Sequence, residues 1–173
     1  HPATRLYHGQ TIRALINIID RSNMTTEGFK FDKTAFVIEW VKRDLLNIAF
    51  GNSDNHGRNT AFLRDETTIW LSPIYDFAPM KADPEGIARS IIWQNDNGQT
   101  LESGGRYNFI AICESLLDLI EPSILLKELK QTAEKLVDLT NRLQQRGVSK
   151  KILSHPAIAF DYLPKRLQDW GLL

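Results

Sequence analysis

Apolar positions recur at helical spacing over residues 10–22, where Ile12, Leu15, Ile16 and Ile19 share one face. A polar loop around Gly28 follows. Asp32 then stands ahead of a second stripe, Phe36, Val37, Trp40, Val41, Asp44, Leu45 and Ile48. That stripe predicts an N-capped helix over Lys33–Phe50, stopped by Gly51. Residues 60–64 and 67–71 alternate, carry β-formers and flank Asp65-Glu66, which predicts a hairpin ended by Ser72-Pro73. Residues 80–105 are rich in Gly, Asp and Asn. They read as a long irregular excursion, functional or mobile, with a short strand at 90–93. One helix is expected over 107–119. A second starts at Pro122 and runs to Gln145 along Leu125, Leu129, Leu136, Leu139 and Leu143, with Gly147 as its stop. One or two short helices fill 156–170. The fold class is mainly α, a helical bundle carrying one β-hairpin.

The length of 173 residues fits one domain, and 42% hydrophobic residues suffice for a core. A formal net charge of zero gives no global pull toward nucleic acid or anionic lipid. No apolar run reaches membrane-spanning length, so no membrane association is expected. The lone cysteine, Cys113, lies in an apolar run and reads as a buried small hydrophobe; one thiol without a partner suits a reducing cytoplasm. The opening His1-Pro2-Ala3 is polar, unlike a signal peptide, and lacks an initiator methionine. Processing or excision from a longer chain would each explain that.

The chemistry concentrates between Asp54 and Asp76. Asp54-Asn55-His56-Gly57-Arg58-Asn59 has the D-x-x-x-x-N spacing of a protein-kinase catalytic loop, and Asp76-Phe77-Ala78 has the form of the metal-binding turn that follows it. A hairpin between them would lay loop and turn side by side, so that Asn59 and Asp76 converge on one cation. Hard oxygen donors of this kind suit Mg²⁺ on nucleotide phosphates. The bland alternative is that Asp54, Asn55 and Asn59 are turn formers with local side-chain hydrogen bonds.

Gly51-Asn52-Ser53-Asp54-Asn55-His56-Gly57-Arg58-Asn59, followed by Leu71-Ser72-Pro73-Ile74-Tyr75-Asp76, resembles the C-terminal domain of HipA-like serine/threonine kinases. Those kinases carry a G-N-x-D-x-H-x-x-N loop and an L-x-P-x-Y-D turn; both are matched without a gap. The resemblance extends over residues 1–173, loosely at 80–105. It implies that Asp54 is the catalytic base, that His56, Gly57, Arg58 and Asn59 line the phosphate and metal site, and that Asp76 joins Asn59 on Mg²⁺. His56 reads as part of the site in preference to a solvent-exposed loop histidine, while Arg58 reads equally as a phosphate contact or a surface cation. ATP and Mg²⁺ are the implied cofactors. The implied setting is a bacterial toxin–antitoxin pair. Its protein substrate would be a translation component or another protein, its partner a helix-turn-helix antitoxin, and DNA would be reached only through that antitoxin.

In the resembled family a serine-bearing loop and a nucleotide-pairing lysine sit in an N-terminal lobe. No Gly-rich phosphate loop and no strand lysine of that type occur here; Gly104-Gly105 is only a dipeptide. The isolated lobe is therefore expected to bind ATP weakly and to transfer phosphate slowly or not at all. Two rival readings stay open: a non-catalytic pseudokinase module that docks an antitoxin, and a metal-dependent phosphohydrolase, which would want more clustered carboxylates. Zinc is not expected from His1, His8 and His155, which lack ligand spacing. The four tryptophans, Trp40, Trp70, Trp93 and Trp170, read as core or interface residues rather than a nucleic-acid stacking platform.

Overall fold

The computed structural model describes residues 5–22 and 30–173. The expected loop around Gly28 and the polar start at His1 lie outside the described residues. The chain opens with a short strand, β1 (Leu6–Tyr7), that runs directly into α1 (His8–Arg21). Helix α2 spans Lys33–Phe50, as its stripe predicts. The Asp32 carboxylate accepts from the Ala35 amide at 2.9 Å and so satisfies one of the free N–H groups of the first turn. At the other end Gly51 adopts φ 72°, and the Asn52 amide reaches back to the Asn47 carbonyl at 2.8 Å. A side chain at Gly51 would be excluded twice: by the left-handed backbone and by Ile158, whose carbons would lie 3.1 Å from a Cβ.

The predicted hairpin forms from β2 (Phe62–Arg64) and β3 (Ile69–Leu71), with Leu63 opposite Trp70. The excursion at 80–105 is more ordered than its composition suggests. Its expected strand appears as β4 (Ile91–Ile92) and pairs in parallel with β1, Leu6 opposite Ile91. Further on, β5 (Glu102–Ser103) and β6 (Arg106–Tyr107) form a second hairpin. Its two-residue turn is Gly104-Gly105, at φ 57° and 81°, a backbone that side-chain-bearing residues adopt only at a cost. The dipeptide is a hairpin turn.

Helix α3 covers only Phe109–Glu114 of the expected 107–119 stretch. Tyr107 belongs to β6, and Asn108 caps the helix by accepting from the Ala111 amide at 3.0 Å. Beyond Glu114 the chain continues in tighter turns, with Leu119 bonded to the Leu116 carbonyl. The long helix expected over 122–145 is two helices, α4 (Pro122–Leu136) and α5 (Leu139–Gln145). The break falls at Val137-Asp138; the Asp138 carboxylate takes a bond from the Asn141 side chain and does not cap a backbone N–H of α5. Gly147 is left-handed at φ 81°, in keeping with its role as a stop. The short helices α6 (Lys150–Leu153) and α7 (Leu163–Asp169) complete the molecule.

Helix α4 is the hub: α2, α3 and α7 all pack on it. Val37, Val41, Leu45, Phe109, Ile112, Leu125, Leu129, Leu163 and Leu167 are fully buried there. Trp40, Trp93 and Trp170 are core residues, as read from the sequence, while Trp70 is exposed on the first hairpin. No helix among the described residues is long and apolar enough to cross a membrane.

Candidate functional site

The end of α2 launches the polar loop. The Asn52 side chain donates to the Asn47 Oδ1 at 3.0 Å and accepts from the Asp54 amide at 3.3 Å, which folds the chain sharply as it leaves the helix. Asn52, Ser53 and Asn55 are buried, whereas the Asp54 side chain keeps 28% of its surface. The Asp54 carbonyl accepts from the Asn59 Nδ2 at 2.9 Å, and the Asn59 amide bonds the His56 carbonyl at 3.0 Å. The D-x-x-x-x-N spacing thus closes on itself through a 3₁₀ turn at Gly57–Asn59. That internal bond uses the amide nitrogen of Asn59 and leaves its Oδ1 for something else. Asp54 Oδ1 lies 3.5 Å from His56 Nε2.

The turn after the hairpin comes back to this loop. The Ser72 amide bonds the Ala61 carbonyl at 2.9 Å, and the Tyr75 hydroxyl donates to the Arg58 carbonyl at 2.6 Å. Arg58 and Tyr75 immediately precede Asn59 and Asp76. Phe77 packs edge-on against Phe50 at the end of α2, 5.3 Å between ring centroids. Asp76 is exposed, sits at φ 52°, and its carboxylate has no hydrogen bond or ion pair among the described residues. A cavity of about 60 Å³ opens between loop, turn and α2. Asp54, His56 and Asn59 line it together with Tyr75 and Phe77. Gly57, Arg58 and Asp76 do not form part of its wall. Two buried polar atoms beside it, Ser53 Oγ and His56 Nδ1, have no partner.

His8 and Asp44, which also line the cavity, belong to a charged cluster whose partners the pattern of residues did not reveal. Asp44, in the apolar stripe of α2, is 2% exposed. Arg89 grips it with both guanidinium ends, at 3.0 and 2.9 Å, and also bonds Glu102 at 3.1 Å through Nε. The Trp93 indole N–H donates to Asp44 at 2.8 Å. Burial by itself would raise the Asp44 carboxyl, but the charge of Arg89 and then the contact with His8 outweigh it and hold the group well below the usual carboxylate range. His8 accepts from the Trp40 indole at Nδ1 (3.0 Å), which leaves its proton on Nε2, 3.4 Å from Asp44. A carboxylate inside a hydrophobic stripe requires a buried cation, and that was the available signal; which of 21 lysines and arginines answers it is a matter of tertiary structure.

Among the described residues no three His, Cys, Asp or Glu side chains gather as a metal cage. The oxygens present near the cavity are of a different kind: one carboxylate on the loop, one amide oxygen at its end, and one unpaired carboxylate on the adjoining turn. Cys113 is 1% exposed, and burial pushes its thiol up to about 12, so it is a core residue and no nucleophile.

The family model described as the HipA-like C-terminal domain matches residues 2–145. The chain belongs to this family. Comparison with curated proteins returns no match. The match to the HipA-like C-terminal domain takes in both motifs, the cavity and all of the charged cluster. It ends just ahead of α6 and α7, which the structure packs onto the same core through Leu153 of α6 and Leu163 and Leu167 of α7.

Proposed function

We propose that this HipA-like domain is the catalytic lobe of a serine/threonine protein kinase of the toxin–antitoxin type. The observation that carries the reading is the Tyr75–Arg58 bond, which pins the D-F turn to the end of the D-x-x-x-x-N loop. Asp54 accepts the proton of the acceptor hydroxyl as its oxygen bonds to the γ-phosphorus and the β–γ bridge of ATP breaks, ADP leaving. Asn59 Oδ1 and the free Asp76 carboxylate fit Mg²⁺, which takes few protein oxygens and completes its shell from phosphates and water. The orphaned His56 Nδ1 and Ser53 Oγ beside the cavity also fit a site built for a polar occupant. Bound Mg²⁺ would neutralise charge on the phosphates. Gly57 and Arg58 present backbone and side chain on the exposed rim of the same loop, where the phosphates would lie.

In this reading an N-terminal lobe supplies the remaining phosphate cradle, and the 173 residues alone transfer phosphate slowly or not at all. The acceptor is a protein, translation components included, and a helix-turn-helix antitoxin is the partner that links the kinase to DNA. The test is phosphoryl transfer from ATP with Mg²⁺ by the chain joined to its N-terminal lobe. Asp54→Asn is expected to lower the rate by about 10²–10⁴-fold. Asp76→Asn is expected to abolish transfer at Mg²⁺ levels that saturate the wild type. Equal transfer by all three proteins would end the assignment, and hydrolysis of phosphoesters without ATP would replace it with a phosphohydrolase.

A further inference from the structure

A general base acts only if its oxygen is held within a fraction of an ångström of its working place, and errors near 1 Å cost about 10²-fold. The loop that carries Asp54 has no strand or α-helix to hold it. Most of its bonds are local: Asn52 to Asn47, Asp54 to Asn52, Asn55 to Ser53, Asn59 to His56 and to Asp54. Local bonds fix the shape of the loop without fixing where that shape sits. At its start the Lys81 amide bonds the Gly51 carbonyl at 2.9 Å, and at its far end the Tyr75 hydroxyl ties to the Arg58 carbonyl, both of these last residues being exposed.

A third external tie is next to Asp54 itself. The Asn55 side chain is 7% exposed and crosses to β4, 36 positions along the chain. Its Nδ2 donates to the Ile91 carbonyl at 2.8 Å, and its Oδ1 accepts from the amides of Ser90 (2.8 Å) and Ile91 (3.2 Å). A side-chain amide used in this way substitutes for a missing strand. The receiving segment is itself fixed: β1 pairs with it, the Arg89 fork ties it to Asp44 on α2 and to Glu102, and the Trp93 amide bonds Glu102 at 3.0 Å.

We propose that Asn55 is a positioning residue for Asp54, and that Arg89, gripped by Asp44 and Glu102, provides the rigid frame to which Asn55 secures the loop. The proposal rests on the kinase reading for its catalytic consequence and on geometry alone for the anchoring. It gives the irregular 80–105 excursion a definite task, as the brace of the catalytic loop.

The test compares wild type, Asn55→Ala, Asn55→Asp and the core variant Leu129→Ala, all carrying the N-terminal lobe. Asp at position 55 keeps the two acceptor bonds and loses the donor. Asn55→Ala is expected to lower kcat about tenfold or more with the KM values for ATP and acceptor changed less than about twofold. Asn55→Asp is expected to recover part of that loss. Leu129→Ala, which destabilises the core far from the loop, is expected to keep wild-type kcat per folded molecule. Amide exchange should quicken in residues 51–60 of Asn55→Ala and stay unchanged in α2 and α4. A kcat for Asn55→Ala within twofold of wild type, or a loss matched by Leu129→Ala at equal stability, overturns the positioning role. Unchanged exchange in the loop overturns the anchoring. A wild-type protein that transfers no phosphate overturns the kinase reading instead, and the exchange result still decides the anchoring.

Discussion

Asp76 holds a left-handed backbone at φ 52° with no side-chain bond to compensate it. For an L-residue that conformation costs about 1–2 kcal/mol, less for Asp than for most. Glycine would remove the strain at the expense of a more flexible unfolded chain, about 0.5–1 kcal/mol. The two effects nearly cancel, so Asp76→Gly is expected to leave stability within about 1 kcal/mol of wild type, as read from urea midpoints. Phosphoryl transfer should nonetheless be lost, because the carboxylate is gone. If Asp76 were only a turn former, the variant would be as active as wild type. Asn55 presents the opposite case at the same scale: it lines the cavity beside Asp54, but every bond of its side chain is to backbone. The motif specifies Asp76 and passes over Asn55 as an open position; the structure separates the one that is free to bind from the one that is fully engaged.

At the scale of elements, local rules governed the parts of the fold that could be read in advance. Helix α2 was legible because cap, stripe and stop all lie within its own 18 residues and its two flanks. The hairpin was legible from alternation and the Asp65-Glu66 turn. Asp32→Ala removes the single side-chain cap of α2 and is expected to cost about 1 kcal/mol, lowering the melting temperature by a few degrees without altering kcat. No loss of stability in that variant would show that tertiary packing alone sets the start of α2. The junction between α4 and α5 was not legible, since Leu136, Leu139 and Leu143 continue one apolar stripe across the break at Val137-Asp138. The pairing of β1 with β4 was hidden for a different reason. Two-residue strands 85 positions apart carry no periodicity of their own. The site motifs were read from spacing, but how the loop is held was not, because that depends on contacts with the least patterned part of the chain.

At the scale of the whole molecule, one buried charge cluster joins the helical core to the excursion that braces the loop. Asp44 comes from α2, Arg89 from ahead of β4 and Glu102 from β5, so losing the central cation separates three segments at once. Arg89→Met would fill similar volume while taking the cation away from the buried Asp44 and the half-buried Glu102, a change that costs about 3–5 kcal/mol near neutral pH. The pH dependence distinguishes this cause from simple loss of packing. In the wild type the Asp44 pKa is depressed on folding, so its contribution is fully present above the unfolded value of about 4 and fades as pH falls through the lower, folded value. Without Arg89 the sign reverses. Burial, the largest influence on Asp44, then pushes its folded carboxyl upward, and protonation as pH drops relieves the variant. The stability gap between the two proteins, measured by urea unfolding at matched salt, is therefore expected to be widest at pH 7 and to narrow steadily toward pH 3. A gap that stayed constant over that interval would mean that Arg89 acts through its bulk, and that the charge it places between Asp44 and Glu102 does not hold this part of the molecule together.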